Sequence, residues 1–151
     1  MRLNGELSRL NTIFLDTAPI IYYIEAHPLF GPLSKNVIDR LQRNTLKGFT
    51  SVITLTEVLV KPVESDRDDL IDKFIDFLKN GKSLSLIEIS VEISEAAGRL
   101  RGKHPFIKAL DALQLSVAIN IGADAFLTND KKLEKISEIK VIVLKDYIDK
   151  V

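Results

Sequence analysis

The chain has 151 residues, 46% of them hydrophobic and 28% charged, a length and composition typical of one globular domain spanning residues 1–151. The formal net charge of zero argues against a strongly basic nucleic-acid-binding protein, and the lack of cysteine excludes disulfides, thiolate chemistry and a cysteine-based zinc site. Because no apolar run approaches the length of a bilayer span and the N-terminus lacks the pattern of a signal peptide, we expect a soluble cytoplasmic protein.

Short apolar segments alternate with amphipathic segments along the chain. The predicted strands are, in chain order, TIFLD (12–16), GFTSVI (48–53), SLSLIEI (83–89), AFLTN (125–129) and KVIVL (140–144). The predicted helices are PLSKNVIDRLQRN (32–44), TLTEVLVK (54–61), DDLIDKFIDFLKNG (68–81), VEISEAAGRLRGK (91–103), IKALDALQLSVAINIG (107–122) and KKLEKI (131–136), with a last turn at KDYID (145–149). This alternation predicts an α/β fold with a central parallel sheet of about five strands, covered by helices on both faces.

Four acidic residues stand at related positions in this pattern. Asp16 ends the first strand, and Glu57 lies in the first turn after the second. Asp111 is near the start of the long apolar helix, and Asp130 follows the strand that contains AFLT. In a parallel sheet these positions share one edge, where ligand sites collect. We therefore expect the four carboxylates to lie close together, although they are far apart in sequence.

Three of these acids also have a purely structural explanation. Asp16 and Asp130 could each cap the helix that follows. Glu57 matches a capping box that opens at Thr54. Another acid, Asp124, precedes its strand, so we expect it at the opposite edge of the sheet in a structural role.

Asp111 fits a structural explanation least. The helix that carries it is apolar nearly all round and should therefore be buried. Its polar residues near the start, Lys108, Asp111 and Gln114, form one stripe at three-residue spacing. That stripe should point at the acidic site or at a partner.

Four carboxylates at one place repel one another and require a counter-charge. Mg²⁺ and Mn²⁺ are the usual counter-charges, because these hard cations prefer carboxylate and water oxygens. Such a site suits phosphodiester hydrolysis, in which the metal activates a water and stabilises the charge of the transition state. No side chain in the sequence is a convincing general base.

The segments FLDTAPIIYYIE, TLTEVL and DALQLSVAINIGADAFLTND, together with the alternation of strands and helices, closely resemble the PIN domain, and among PIN proteins the VapC-type ribonuclease toxins. The resemblance covers essentially the whole chain, and residues 111–130 are its most specific part. It implies a three-layer α/β/α PIN-like fold and a metal-dependent endoribonuclease that uses Mg²⁺ or Mn²⁺. It also implies an RNA substrate, a homodimer and an antitoxin that covers or invades the site.

The resemblance further implies roles for individual residues. The catalytic and metal-binding residues that it implies are Asp16, Glu57, Asp111 and Asp130. The supporting residues that it implies are Thr17, Thr128 and Asn129. Many relatives have a basic or small polar residue just before the helix aspartate, where this chain has Ala109 and Leu110, so Lys108 is the nearby positive group here.

A basic stretch leads into the helix of Asp111. Residues 96–110 contain no acid, and the basic residues that we expect to bind RNA there are Arg99, Arg101, Lys103 and Lys108. Taken alone, this run would be interpreted as a solvated helix face. Tyr22 or Tyr23 could stack on a base, although a place in the core fits a tyrosine better.

Other chemistries fit the sequence less well. A haloacid-dehalogenase-like phosphatase needs a second aspartate where Ala18 stands, and no acid pair precedes Asp16 as a receiver domain requires. There is no glycine-rich phosphate loop, and both histidines precede a proline without a nucleophile elbow. The alternatives that stay open are a non-catalytic RNA- or protein-binding PIN-like module and a housekeeping RNA-processing nuclease.

Overall fold

The computed structural model describes residues 2–148. Its strands are β1 (Thr12–Leu15), β2 (Lys47–Ser51), β3 (Leu84–Ile87), β4 (Phe126–Thr128) and β5 (Val141–Val143). All neighbouring strands are parallel, and they form one five-stranded sheet in the order β3-β2-β1-β4-β5. The α/β class and the parallel sheet of five strands are confirmed.

Helices cover both faces of the sheet. The α-helices are α1 (Leu3–Leu7), α2 (Thr17–Ile24), α3 (Gly31–Gln42), α4 (Val52–Glu64), α5 (Asp68–Ile75), α6 (Val91–Lys103) and α7 (Ala109–Asn120). A π-helical turn at Asp76–Asn80 extends α5, and 3₁₀ turns at Lys131–Lys135 and Leu144–Tyr147 follow β4 and β5. Within residues 2–148, no helix combines the length and the apolar character needed to cross a bilayer.

The central strand β1 shows why the fold has three layers. Its alternate side chains point to opposite faces of the sheet, and Ile13, Phe14 and Leu15 are all fully buried. Ile13 and Leu15 belong to one apolar cluster, which they share with the helices α1–α5, while Phe14 belongs to a second cluster with α6 and α7. Phe14 stacks on Phe126 of β4, with ring centroids 5.4 Å apart. Burial on both faces explains why the strands are continuously apolar.

The strand order reverses direction at β1. The chain moves from β1 to β2 and β3 on one side, then crosses to β4 and β5 on the other. At the end of β1, the Asp16 amide donates to the Leu127 carbonyl of β4 at 2.9 Å. This reversal opens a crevice at the carboxyl ends of β1 and β4, which is where α/β sheets bind ligands.

Both ends of α4 differ from the sequence-based prediction. Helix α4 begins at Val52, two residues before the predicted start, because Ser51 caps it by accepting the Ile53 amide. It also continues past Pro62 to Glu64 rather than ending before the proline. Helix α1 was not predicted, although Leu3 and Leu7 lie one turn apart and both are buried.

Asp124 lies at the opposite edge of the sheet and has a structural role there, as predicted. Its Oδ2 accepts the backbone amides of Asn11 and Thr12 at 2.8 and 3.0 Å. The Asp124 amide in turn donates to the Thr12 hydroxyl at 2.9 Å. These bonds tie the entry of β1 to the loop before β4 and lower the pKa of Asp124 below its ordinary value.

Candidate metal centre

The four predicted acids lie at the carboxyl edge of the sheet, each positioned by a different element. Asp16 caps α2 directly after β1, and Glu57 stands in the second turn of α4. Asp111 lies in the first turn of α7, and Asp130 caps the 3₁₀ turn after β4. Repulsion from Asp111 and Glu57 reaches Asp16. Repulsion from Asp130 and Glu57 reaches Asp111, so each of the four acids lies near enough to another to act on its charge or be acted on.

Asp16 is the best-anchored member of the group. The Thr17 amide donates to its Oδ1 and the Thr128 hydroxyl donates to its Oδ2, each at 2.8 Å. Burial nevertheless raises the pKa of Asp16 from 3.8 to about 6, and repulsion by Asp111 and Glu57 adds to the rise. The two hydrogen bonds oppose this rise without cancelling it. Ionised Asp16 is therefore oriented, but it has no cationic partner within 4.0 Å among residues 2–148.

The turn after β4 holds Asp130. The Asp130 amide donates to the Thr128 hydroxyl at 3.1 Å, and its Oδ1 accepts the Lys132 amide at 3.1 Å. Asn129 anchors the same turn, because its side chain donates to the Tyr22 hydroxyl at 3.0 Å and accepts the Lys145 amide at 2.9 Å. Asp130 thus caps a helical turn, as its structural explanation predicted, and its charge also acts on Asp111.

The capping-box interpretation of Glu57 is wrong. Since Ser51 caps α4, Thr54 lies inside the helix rather than at its N-terminus. The Glu57 side chain turns instead toward α2, where its Oε1 accepts the Thr17 hydroxyl at 2.6 Å. Thr17 therefore contacts both of the acids that α2 and α4 contribute.

Asp111 has no hydrogen-bond partner among the described residues, and its pKa is raised. Burial is the main cause, followed by repulsion from Asp130 and Glu57, while the charges of Lys108 and Lys132 oppose the rise. The helix α7 is largely buried, as predicted, but not all round, since Leu110 is 45% exposed. The predicted polar stripe does face the acidic site.

A buried network of hydroxyl and amide groups lies beneath the acids. Its buried members are Thr50, Ser51, Thr54, Gln114 and Thr128. The Gln114 side chain contacts Ser51 at the end of β2 and Thr54 of α4. Sequence reasoning noted Gln114 only as part of a stripe and missed Thr50 and Ser51 altogether. The one signal available was a glutamine in an otherwise apolar helix, one turn after Asp111.

The predicted basic residues do not all lie beside the acids. Lys108 is close enough to Asp111 to affect its pKa. Arg99 and Lys103 instead line a cleft of about 280 Å³ together with Ile119, near the end of α7. Ile119 is eight positions after Asp111 on α7, about 12 Å farther along the helix axis. Lys132, which sequence reasoning missed, is the second lysine near Asp111.

Arg101 has a structural contact of its own. Its Nε donates to the carbonyl of Ile107 at 2.8 Å, across the connection between α6 and α7. Lys103 lies 3.7 Å from Glu138, and Arg99 lies 3.9 Å from Glu95. Three of the four predicted RNA-binding residues thus have a protein contact away from the acidic edge.

The family model of the PIN domain matches residues 13–139, a segment that contains all four acids. The chain belongs to the PIN domain family. A comparison with curated protein sequences gives no match.

Several solved structures of toxin or toxin–antitoxin proteins are similar to this PIN domain. The VapBC2 structure from Rickettsia felis, bound to a DNA fragment from its promoter, has a TM-score of 0.71 and 25% identity, and the match covers 87% of this chain and 98% of that one. A toxin–antitoxin complex from Klebsiella pneumoniae has a TM-score of 0.65 and 19% identity, over 87% and 97% of the two chains. The sarcin–ricin loop cleaving toxin VapC20 from Mycobacterium tuberculosis has a TM-score of 0.66 and 16% identity, over 85% and 98%. The last two show the fold alone, and the predicted resemblance to VapC-type PIN domains is confirmed.

The donor set of this PIN domain fits a hard divalent cation in kind, because all four side chains offer carboxylate oxygens. Within residues 2–148, no three acidic or histidine side chains are already arranged to hold an ion. Asp16 is held in one orientation by two hydrogen bonds, so an ion at this edge would be reached by movement of the other three acids. Asp111 can turn most freely, since it makes no hydrogen bond within the described residues.

Proposed function

We propose that this PIN domain protein is a metal-dependent endoribonuclease and the toxin of a VapBC-type toxin–antitoxin pair. The observation that carries the proposal is the meeting of Asp16, Glu57, Asp111 and Asp130 at the carboxyl edge of a PIN fold. Burial and mutual repulsion raise the pKa values of Asp16 and Asp111, and such a site gains most from a bound cation.

The four acids would hold Mg²⁺ or Mn²⁺. When bound, the cation would polarise the phosphate and make an attacking water more acidic. The chain's own residues orient the ligands: Thr17 and Thr128 hold Asp16, and the turn after β4 holds Asp130. Both histidines are engaged elsewhere, since His27 accepts two backbone amides and His104 pairs with Glu138, so neither serves as a general base.

Lys108 and Lys132 would contact the RNA backbone nearest the cleaved bond. Both are exposed, both lie close to Asp111, and neither has an ion-pair partner within 4.0 Å among residues 2–148. Free ammonium groups beside a metal site suit phosphate contacts, which position a nucleic acid without reading its sequence. Arg99 and Lys103 would contact the RNA farther along the backbone. A single-stranded or looped RNA suits an open edge of this kind.

An antitoxin is the proposed protein partner. The similar structure from Rickettsia felis is a VapBC protein bound to promoter DNA, and the one from Klebsiella pneumoniae is a toxin–antitoxin complex. Val60 and Val63 are 52% and 58% exposed on α4, the helix that carries Glu57, and offer apolar surface to such a partner. A homodimer and a cytoplasmic location, both implied by the family resemblance, belong to the same proposal.

Cleavage of a structured RNA by the purified protein tests the proposal. We expect cleavage with Mg²⁺ or Mn²⁺ and none with EDTA. Asp16→Asn should lower the rate by more than about 100-fold, because loss of even an outer hydrogen-bond partner of a metal ligand costs about 10–100-fold. Asp72→Asn is the matched control, since Asp72 is exposed on α5 and should leave the rate unchanged.

The outcomes separate the alternatives. Metal-dependent cleavage that survives Asp16→Asn would contradict the assignment of this site. Cation binding without cleavage of any RNA would favour the non-catalytic binding module. Where metal-dependent cleavage is observed, sequencing of the cleaved ends would distinguish a toxin that cuts one RNA loop from a nuclease of general RNA processing.

A further inference from the structure

Gln114 is a polar side chain in the middle of the protein. It is only 1% exposed, and it lies one helical turn after Asp111 on the same face of α7. Its amide contacts residues from the end of β2 and from α4, and it approaches the start of α2. Of these places, α4 carries Glu57 and the start of α2 carries Asp16. A buried amide in such a position must have its hydrogen bonds satisfied, and here they are satisfied next to the acids.

The orientation of the Gln114 amide follows from its neighbours. The Ser51 hydroxyl accepts the Ile53 amide at 3.1 Å and gives its proton to Gln114 Oε1. The Gln114 Nε2 then donates to the Thr54 hydroxyl at 2.7 Å, and it lies 3.5 Å from Asp16 Oδ1. The reversed amide would place an oxygen against the Asp16 carboxylate. Repulsion therefore favours the orientation in which N–H faces the acid.

The hydroxyl groups between Gln114 and Glu57 have a fixed direction. The Thr17 hydroxyl has one proton, which it donates to Glu57 Oε1 at 2.6 Å. The 3.2 Å contact between the Thr17 and Thr54 hydroxyls must then be donated by Thr54. Because Thr54 gives its proton away, it accepts from Gln114. The result is a directed chain of hydrogen bonds from Gln114 through Thr54 and Thr17 to Glu57.

Thr50 cannot replace Gln114 in this chain. Its hydroxyl lies 2.8 Å from the Leu15 carbonyl and 2.9 Å from the Thr54 hydroxyl, but it has a single proton for the two acceptors. The carbonyl can only accept, so it competes for that proton. The Gln114 amide has two protons, and the nearest of its three acceptors is the Thr54 hydroxyl at 2.7 Å, with Asp16 Oδ1 and the Thr17 hydroxyl each at 3.5 Å.

We propose that Gln114 is a positioning residue for the cation site. Its amide is the first donor of the hydrogen-bond chain that ends on Glu57, while the same Nε2 group faces Asp16. One neutral side chain on α7 thereby orients two carboxylates that belong to α2 and α4. This inference rests on the proposed cation site, and it assigns Gln114 and Thr54 to that site as outer partners of the ligands.

The affinity of the metal-free, full-length protein for Mn²⁺, measured by calorimetry without RNA, tests this role. Gln114→Met keeps the length of the side chain and removes both N–H groups. Thr54→Val keeps the shape and breaks the chain without touching Asp16. We expect each change to weaken Mn²⁺ binding about 10–100-fold, as for outer partners of metal ligands. The double variant should bind no more weakly than Gln114→Met alone, because both changes interrupt one chain.

Ser116→Ala is the matched control. Ser116 is buried on the same helix, only 3% exposed, but it lines the cleft near Arg99 and Lys103 rather than the acidic site. The Mn²⁺ affinity of the Ser116→Ala protein should equal that of the wild type. Circular dichroism should show the native fold in every variant.

A folded Gln114→Met protein with unchanged Mn²⁺ affinity would overturn the proposal and leave Gln114 a purely structural residue. If Gln114→Met does not fold, Thr54→Val decides in the same way, and an unchanged affinity there overturns the chain. Failure of the wild type to bind Mn²⁺ would instead refute the cation site itself. Additive losses in the double variant would contradict a single chain.

Discussion

At the scale of single residues, Asp16 stands where the fold makes ionisation costly. Burial and two acidic neighbours oppose its charge, whereas only two hydrogen bonds favour it. A residue placed so unfavourably lowers the stability of the folded protein at neutral pH. A bound cation would remove that cost, which explains why a carboxylate would be kept at this position.

Asp16→Asn should raise the free energy of unfolding of the metal-free protein by about 1–3 kcal/mol near neutral pH. The folded pKa of about 6 lies above the ordinary 3.8, so the folded protein holds this proton more tightly than the unfolded chain does. The wild type therefore loses stability as pH rises from about 4 to about 6, and the neutral variant does not.

Urea unfolding in EDTA at about pH 7.5 and about pH 4 measures this effect. The advantage of the variant should be present at the higher pH and absent at the lower one. Equal stabilities at the higher pH would show that ionised Asp16 carries no penalty.

At the scale of elements, one glycine lies inside the helix α6 and another lies just after the end of α7, and the two should respond differently to substitution. Gly98 lies in the middle of α6, and a Cβ added there would meet no atom within 4 Å. Gly122 follows the end of α7 with φ +72°, and the next amide, that of Ala123, returns to the Ala118 carbonyl at 3.0 Å. Gly122 therefore terminates α7, whereas Gly98 has no role in terminating α6.

Gly98→Ala should therefore stabilise the protein by about 0.5–1 kcal/mol, because alanine loses less conformational entropy in a helix and finds free space here. Gly122→Ala should destabilise it by about 1 kcal/mol, because alanine is strained at positive φ. Urea denaturation of the two variants beside the wild type measures both. Destabilisation by Gly98→Ala would mean that α6 packs against something in solution at that face.

At the scale of the whole molecule, the sheet gathers negative charge at one edge. Asp16 and Asp130 follow strands on the two sides of the crevice, while Glu57 and Asp111 arrive on helices from opposite faces of the sheet. The helix α4 packs in the apolar cluster on one face of the sheet, and α7 packs in the cluster on the other face. The site therefore depends on the packing of all three layers, and a cation that joins them should stabilise the whole fold.

Mn²⁺ should raise the thermal unfolding midpoint of the wild type. A ligand at about 100 times its Kd adds about 2.7 kcal/mol, which corresponds to roughly 5–10 °C for a domain of this size. The shift should disappear in Asp16→Asn and persist in Asp72→Asn, and differential scanning calorimetry measures all three. An equal shift in Asp16→Asn would place the bound ion elsewhere on the molecule.

Much of the fold follows from local patterns in the chain. Alternating apolar strands and amphipathic helices predicted the parallel sheet, and the ends of the strands predicted the edge at which Asp16 and Asp130 lie. These are properties of neighbouring residues, since strand direction and side-chain alternation depend on backbone geometry alone. The boundary of α4 was misjudged, because Ser51 and Thr54 are both acceptable caps and only the structure shows which one is used.

The sequence by itself determined the fold class, the family resemblance and the shared edge of the four acids, because strand ends and helix starts are set locally. Tertiary structure alone decided that Gln114 connects to Glu57 through two threonines, and that Lys132 rather than Arg99 joins Lys108 beside Asp111. Those relations depend on how far helices shift and rotate when their apolar faces pack. Residue spacing does not contain that information.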